Sequence, residues 1–337
     1  IKSGSQSSGD KSMIDVIFNS LSHVISINKA FIETQFFVNG VNQREYAIDT
    51  KTPIRGTIEW RNNLDTKIND LRIRAKISGN AVNRKTINVE QGFYNSSEDV
   101  IVWDKNYLNE FREVNPGDAG SVDFSLSSLA LFSATNGILL DPTISIEISI
   151  SGKQLLEGYE AKDLNNSASS IIRIISDVGL ATKVLYYSGP FTNKGFIPPK
   201  VEKETTYTIV WSLSNTANNI SKSVIRSSLP VWVNFVGKIS PASENLTYNS
   251  STKEILWNIG TIPKGTNLTK APKEVAFQIS FLPSLSQVNT SPILINDAVL
   301  TGHDDFAKVE VRVGKTALTT QLYNDPLSPP GGGVVVE

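Results

Sequence analysis

The sequence predicts an all-β protein made of antiparallel β-sandwiches in tandem. Three observations predict it. Apolar and polar residues alternate with period two in run after run. Turn-forming residues separate the runs. One ordered set of landmarks occurs twice. Tyr207, Ile209, Trp211 and Leu213 alternate with Thr208, Val210 and Ser212, and Ile144, Ile146, Ile148 and Ile150 alternate with Ser145, Glu147 and Ser149. Leu71 to Ile77, Val275 to Phe281 and Val309 to Val313 repeat the pattern. Successive side chains of a strand point to opposite faces, so each run has one apolar and one polar face. Such half-buried strands suit antiparallel sheets with one solvated side. Val38-Asn39-Gly40, Asn115-Pro116-Gly117 and Pro263-Lys264-Gly265 supply the turns. No long stretch has helical period, and short helical turns are expected only near Asn106 to Phe111.

The doubled landmarks set the domain organisation. Tyr-Asn-Ser-Ser occurs at Tyr94 and again at Tyr248, and Trp103 and Trp257 follow nine residues after each tyrosine. Trp103 and Trp257 are 154 residues apart, and Trp60 and Trp211 are 151 apart. Ile58-Glu59-Trp60 followed by Asn63 resembles Ile209-Val210-Trp211 followed by Asn215, and Ile150-Ser151-Gly152 matches Leu300-Thr301-Gly302. One unit of about 150 residues is therefore expected twice.

In chain order, residues 1–28 read as the closing strands of a preceding unit, because Ile14 to Phe18 and Val24 to Ile27 resemble Ile171 to Ile175. Residues 29–178 form the first sandwich and residues 179–323 the second. Residues 324–337, with Pro329-Pro330-Gly331-Gly332-Gly333, read as a tail that does not pack. Trp60, Trp103, Trp211 and Trp257 are expected in the cores, one per facing strand, as the two-sheet interior of a sandwich requires. The Tyr-Asn-Ser-Ser segments read as hairpin turns whose return strands end in these rings. Tyr186, Tyr187, Phe191 and Phe196 mark a segment, Tyr186 to Pro199, expected either to pack between the sandwiches or to bind a partner.

Composition narrows the function. The 337 residues are 39% hydrophobic and 19% charged, with a formal net charge of -1. Nucleic-acid binding needs a concentrated basic face, and none is visible. There are no cysteines, which excludes disulfides, thiolate nucleophiles and cysteine metal sites. No apolar run approaches the roughly 18 residues of a membrane helix. The chain begins at Ile1 and is expected to be a piece of a longer protein, with any membrane anchor lying outside it.

Candidate chemistry is sparse. No H-E-x-x-H, P-loop or G-x-S-x-G string occurs, so no enzyme, catalytic residue or cofactor is expected. His23 and His303 fall in different units. Asp304 and Asp305 beside His303 are the weak candidates for a hard cation, set against a solvated hairpin turn. Lys200 or Lys203 with Asn296 and Asp297 is the set to try for an intramolecular isopeptide bond. Sequons at Asn95, Asn165, Asn219, Asn245, Asn249, Asn267 and Asn289 reflect the abundance of Asn, Ser and Thr in β-turns.

The second unit carries a recognisable string. Glu204 to Ile209 leads to Asn215, then Ser228-Leu229-Pro230, Tyr248-Asn249 and Leu256 to Gly265. It resembles the domain-of-unknown-function-eleven repeat of bacterial and archaeal surface proteins. Leu185 to Pro190, Ile197-Pro198-Pro199 and Leu282 to Val288 resemble, more narrowly, the C-terminal modules of large repeat proteins of small-genome candidate-phylum bacteria (Patescibacteria). The resemblance covers residues 180–323 and, less strongly, 29–178. It implies an immunoglobulin-like sandwich, a cell-surface location, membrane attachment through a helix N-terminal to the repeats, and no agreed enzymatic role. The partners it implies are neighbouring repeats of the same chain. The function expected first is a stalk, coat or spacer; the alternative is an adhesive module that holds a protein or glycan through sandwich-end loops.

Overall fold

Period-two patterning becomes two immunoglobulin-like sandwiches in a computed structural model of the chain, which describes residues 3–4, 15–16, 31–154, 161–328 and 332–337. The first contains β1 (Ile32–Val38), β2 (Glu45–Ile48), β3 (Ile54–Asn62), β4 (Ile68–Ser78), β5 (Val82–Val89), β6 (Phe93–Asn95), β7 (Val100–Trp103), β8 (Glu113–Val114), β9 (Ala119–Ser128), β10 (Thr143–Gln154) and β11 (Lys162–Ile174). The second contains β12 (Val178–Leu185), β13 (Thr205–Asn215), β14 (Ile220–Ser228), β15 (Val233–Ser240), β16 (Asn245–Asn249), β17 (Glu254–Ile262), β18 (Lys273–Phe281), β19 (Ile293–Ile295), β20 (Ala298–Asp304), β21 (Val309–Lys315) and β22 (Leu318–Thr319). A short 3-10 turn at Asn109–Arg112 overlaps the region expected to turn, Asn106 to Phe111, and a second covers Leu285–Gln287. The expectation for residues 1–28 lies almost wholly outside the described residues.

The two sandwiches share a strand order. Sheet β1-β3-β9-β5 of the first corresponds to β12-β13-β18-β15 of the second. The facing sheet runs β11-β10-β4-β7-β6 in the first and β21-β20-β14-β17-β16 in the second, with β2 added parallel to β11 at one edge. Each has its own core: Ile73, Trp103, Phe124 and Ile146 lie in one, and Ile225, Trp257, Phe277 and Leu300 in the other. The alternation of β4 and β10 appears as designed by the sequence, with Leu71, Ile73, Ala75 and Ile77 buried against Ile144, Ile146, Ile148 and Ile150.

Register separates the true landmarks from the false one. Ile73 stands between Trp103 and Ile150, and Ile225 stands between Trp257 and Leu300. Trp103 and Trp257 are thus in equivalent places. Trp60 and Trp211 are not. The residues that correspond are the buried amides Asn62 and Asn215, not Asn63 and Asn215. Asn62 donates to the carbonyls of Thr66, Val114 and Asn115 at 3.0, 3.2 and 3.0 Å. Asn215 donates to Asn218, Ile262 and Pro263 at 2.7, 3.1 and 3.2 Å. Trp60 precedes its amide by two residues and Trp211 by four. Each ring found its own accommodation: Trp60 lies over Gly120, where a Cβ would come within 2.8 Å, and Trp211 packs edge-on to Phe277 at 5.1 Å.

Alternation fails on β13 and β18, where Thr208, Val210, Ala276 and Gln278 are buried as well as the inward residues. The cause is Tyr186 to Pro199, which lies over the outer face of that sheet. Phe191 packs on Leu185, Val210 and Ala276. Asn193 donates to Thr208 Oγ1 at 3.0 Å and accepts from Gln278 Nε2 at 2.9 Å. The expectation that this segment packs between the sandwiches is therefore corrected. It begins at the Leu185 end of β12, eight residues beyond the junction-side residue Val178, or about 25 Å at the usual strand rise.

The tail is a second correction. Val335 is fully buried in the second core. Val336 donates to Pro199 O at 2.9 Å and accepts from Val201 N at 3.0 Å, while Val335 exchanges two 2.9 Å bonds with Asn289 and Thr290. Composition read this segment by its glycines and prolines; its valines decide the outcome.

Candidate functional site: the sandwich junction and the free end

The junction is built from residues the sequence marks as ordinary turn formers. In the first sandwich the clamp amide is closed on its own loop, because Asn62 Oδ1 accepts from Leu64 N at 2.9 Å. In the second, a serine from the connecting segment enters the equivalent gap. Ser176 Oγ donates to Asn215 Oδ1 at 2.7 Å and accepts from Ala217 N at 2.8 Å and Asn218 N at 3.1 Å. Ser176, Asn215 and Asn218 are all buried, so each of these bonds forms away from competing water.

Asp304, at the end of β20, completes the joint. Its Oδ2 accepts from Ser176 N at 2.9 Å and Asn218 Nδ2 at 3.0 Å, and its Oδ1 accepts from Phe306 N at 3.0 Å and Ala307 N at 2.8 Å. Asn218 Nδ2 also donates to Ile174 O, in the last residue of β11, at 3.0 Å. Around this polar centre, Ala217 joins the core of the first sandwich, and the Arg173 guanidinium lies 5.9 Å from the centre of the Phe306 ring. Thr50 donates to Asp177 Oδ1 at 3.1 Å. The loops at one end of each sandwich are thus tied by bonds from four separate strand ends.

This arrangement corrects the cation reading of Asp304 and Asp305. A hard cation needs free oxygens in number. Both oxygens of the fully buried Asp304 already hold two N–H donors each, and the exposed Asp305 accepts from Ser221 Oγ at 2.6 Å. His303 faces Glu310 at 3.0 Å. Among the described residues no group of three or more His, Cys, Asp or Glu is placed to hold a metal. His23 lies outside them. The isopeptide set is also dispersed: Asn296 Nδ2 donates to Ser228 Oγ at 2.9 Å, Asp297 accepts from Ala317 N at 2.8 Å, and Lys200 lies over the Phe196 ring.

The tryptophans and the doubled tetrapeptide take structural positions. Trp103, Trp211 and Trp257 are fully buried and Trp60 nearly so. Trp103 Nε1 donates to Glu90 O at 3.1 Å and Trp257 Nε1 to Glu244 Oε2 at 2.9 Å, each to a residue thirteen positions upstream. In the hairpins, Asn95 Oδ1 accepts from Ser97 N and Asn249 Oδ1 from Ser251 N, the side-chain turn that short Asn residues favour. The tyrosines diverge. Tyr94 donates to Asp99 at 2.7 Å, and burial followed by that bond raises its phenol to about 12. Tyr248 instead packs on Phe235 at 5.1 Å.

The end remote from the junction carries exposed apolar side chains. Val231 is 80% exposed, Leu285 69% and Leu282 53%, beside the partly exposed Trp232. Trp232 Nε1 donates to Ile293 O at 2.8 Å, and Leu282 N donates to Trp232 O at 3.4 Å, which holds the loops together. Tyr187 and Phe196 are also exposed, while Tyr186 and Phe191 are partly covered. Sequence reasoning missed Trp232, although Leu229-Pro230-Val231-Trp232 is a large apolar residue set just past a proline turn. A shallow concavity of about 880 Å³ on the first sandwich is lined by Arg44, Arg74, Lys76, Glu147 and serines.

No family model matches the chain, and no curated protein matches it. Solved structures similar to it include the C-terminal domain of the Streptococcus pyogenes antigen I/II-family protein AspA, at 10% identity and a TM-score of 0.30, covering 85% of this chain and 99% of that one. A chain from a type I cohesin–dockerin complex of Clostridium thermocellum is similar at 7% identity and a TM-score of 0.23, covering 45% of this chain and 100% of that one. At these scores the likenesses carry no functional argument. Among the described residues no helix is long and apolar enough to cross a membrane.

Proposed function

We propose that this chain is a non-enzymatic structural module of a large bacterial cell-surface protein, in which two copies of one sandwich unit are held in fixed relation as part of a stalk, coat or spacer. The observation that carries the reading is the joint. A flexible linker would leave each clamp amide closed on its own loop, as Asn62 is. Here Ser176 enters the clamp of the second sandwich and Asp304 accepts from the backbone of the connecting segment at Ser176. A buried polar network with its donors matched orients its members more strictly than apolar contact does. The surface location rests on the sequence resemblance to envelope repeat modules, centred on Leu256 to Gly265. Protease treatment of intact source cells tests it: removal of the chain without lysis supports the reading, and full protection overturns it.

The exposed apolar set at the free end favours a second reading, an adhesive tip. Contiguous exposed apolar surface marks interaction sites in soluble proteins. Val231→Ser together with Leu285→Ser would then abolish capture of a protein or glycan partner in a whole-cell pull-down and leave the melting temperature unchanged. Equal capture by the variant would leave the spacer reading alone.

A further inference from the structure

The segment that covers the second sandwich and the segment expected to be a loose tail are two halves of one binding arrangement. Tyr186 N and Tyr187 N both donate to Asp325 Oδ2 at 2.7 Å, and Ser188 Oγ donates to Oδ1 at 3.1 Å. Beyond this anchor, Gly333 O accepts from Thr320 Oγ1 at 2.5 Å. A Cβ at Gly333 would come within 2.7 Å of Gln321 Cα and Thr320 O, so the passage admits only glycine. Val335 then fills a closed apolar pocket, and Val335 and Val336 pair with backbone on both sides, at Asn289–Thr290 and at Pro199–Val201.

We propose that this cleft is a strand-accepting site for an extended Gly-Gly-Val-Val-Val segment, and that its occupant in trans is the C-terminal segment of a second copy of this chain. The recognition is main-chain pairing with one side-chain pocket, the chemistry by which a sheet accepts an added strand. Among the described residues, the bonds of Gly333, Val335 and Val336 run to Thr320, Asn289, Thr290, Pro199 and Val201, all outside the tail, so an identical segment from another molecule satisfies the same donors and acceptors. Exchange of an identical element between copies adds no new interface to be evolved. The segment of a second copy is therefore the occupant whose fit is already displayed.

The test uses the 337-residue chain with Gly333→Val and Val335→Asp, which keeps the tail but bars it from the cleft. The probe is a fluorescent peptide of residues 332–337, Gly-Gly-Val-Val-Val-Glu. Saturable binding to the variant, at least about tenfold stronger than to wild type, is expected, because the wild-type cleft is filled at the high effective concentration of a tethered segment. If the variant is too unstable to bind at 25 °C, the peptide should raise its melting temperature steadily with the logarithm of peptide concentration above the dissociation constant. A peptide that neither binds nor stabilises, or that binds both proteins equally, overturns the site. Separately, wild type cooled from the unfolded state at high concentration should give a dimer by sedimentation that the variant does not form. A wild type that stays monomeric, with peptide binding intact, overturns the second copy as occupant.

Discussion

Asp304→Ala perturbs the joint at its most connected atom pair. Four N–H donors meet the Asp304 carboxylate between 2.8 and 3.0 Å, and the side chain is fully buried. A buried donor left without an acceptor costs about 1–3 kcal/mol. The donors differ in what they can do next. Phe306 N and Ala307 N belong to the hairpin turn between β20 and β21, beside the exposed Asp305 and Lys308. Ser176 N and Asn218 Nδ2 sit inside the joint, so their loss is not recovered. The expected cost is about 2–6 kcal/mol for those two donors. Asp304→Asn keeps one oxygen and should cost about half. Urea denaturation followed by tryptophan emission measures both, since the second sandwich holds Trp211, Trp232 and Trp257. The alanine variant should also expose the amides of Ser176 and Asn218 to hydrogen exchange. A change below about 0.5 kcal/mol, the size of an ordinary surface substitution, would refute the reasoning.

Trp103→Ala and Trp257→Ala should each cost about 3–5 kcal/mol, the usual range for deleting a large buried aromatic, with the loss confined mostly to the mutated sandwich; melting temperatures unchanged at both sites would refute the core placement. Asn62→Ala and Asn215→Ala should each cost about 2–4 kcal/mol by stranding buried carbonyls, but only Asn215→Ala should loosen the joint, a difference that amide exchange at Ser176 resolves. Tail docking should depend on acid pH. Burial opposes the charge on Asp325, yet the N–H groups of Tyr186, Tyr187 and Leu327 and the Ser188 hydroxyl outweigh it and hold the carboxyl below its ordinary value. Its contribution is therefore full above the unfolded carboxylate pKa of about 3.9 and is lost as pH falls through the lower folded value. The Val335 and Val336 amide resonances should shift in that acid window in wild type and show no such transition in Asp325→Asn.

Periodicity exposed the strands because most are half-buried, and a half-buried strand writes its two faces into alternate residues. The rule read β4 and β10 correctly and could not read the outer face of β13, because the cover is a loop whose own sequence has no period. Trp103 and Trp257 were legible as a pair because both rings fill the same place between the sheets. The Trp60–Trp211 spacing misled, since a large ring can fill a core from neighbouring positions if small residues such as Gly120 give way. Asn62 and Asn215 carried the better signal, but an asparagine at a strand end looks like any turn former until its amide is seen to meet three carbonyls. Ser176 and Asp304 were hidden for a related reason: their bonds link residues 39 to 128 positions apart. Asp304 was singled out for its charge and found at a site where charge is matched by N–H groups rather than by a cation. The tail was misjudged because glycine and proline dominate its composition, whereas one buried valine and a few main-chain bonds determine its placement.

The central claim is that the two sandwiches form one rigid body. The chain has no cysteine, so a pair of introduced cysteines carries spin labels without interference. Glu147→Cys with Lys238→Cys places exposed labels on the two sandwiches, and Glu59→Cys with Glu147→Cys places both within the first as an internal standard. Double electron–electron resonance reads the distance distribution of each pair. The account predicts a single cross-joint distance as narrow as the standard, broadened when Ser176→Ala and Asp304→Ala are added. A cross-joint distribution already broad in the otherwise unaltered chain would contradict it.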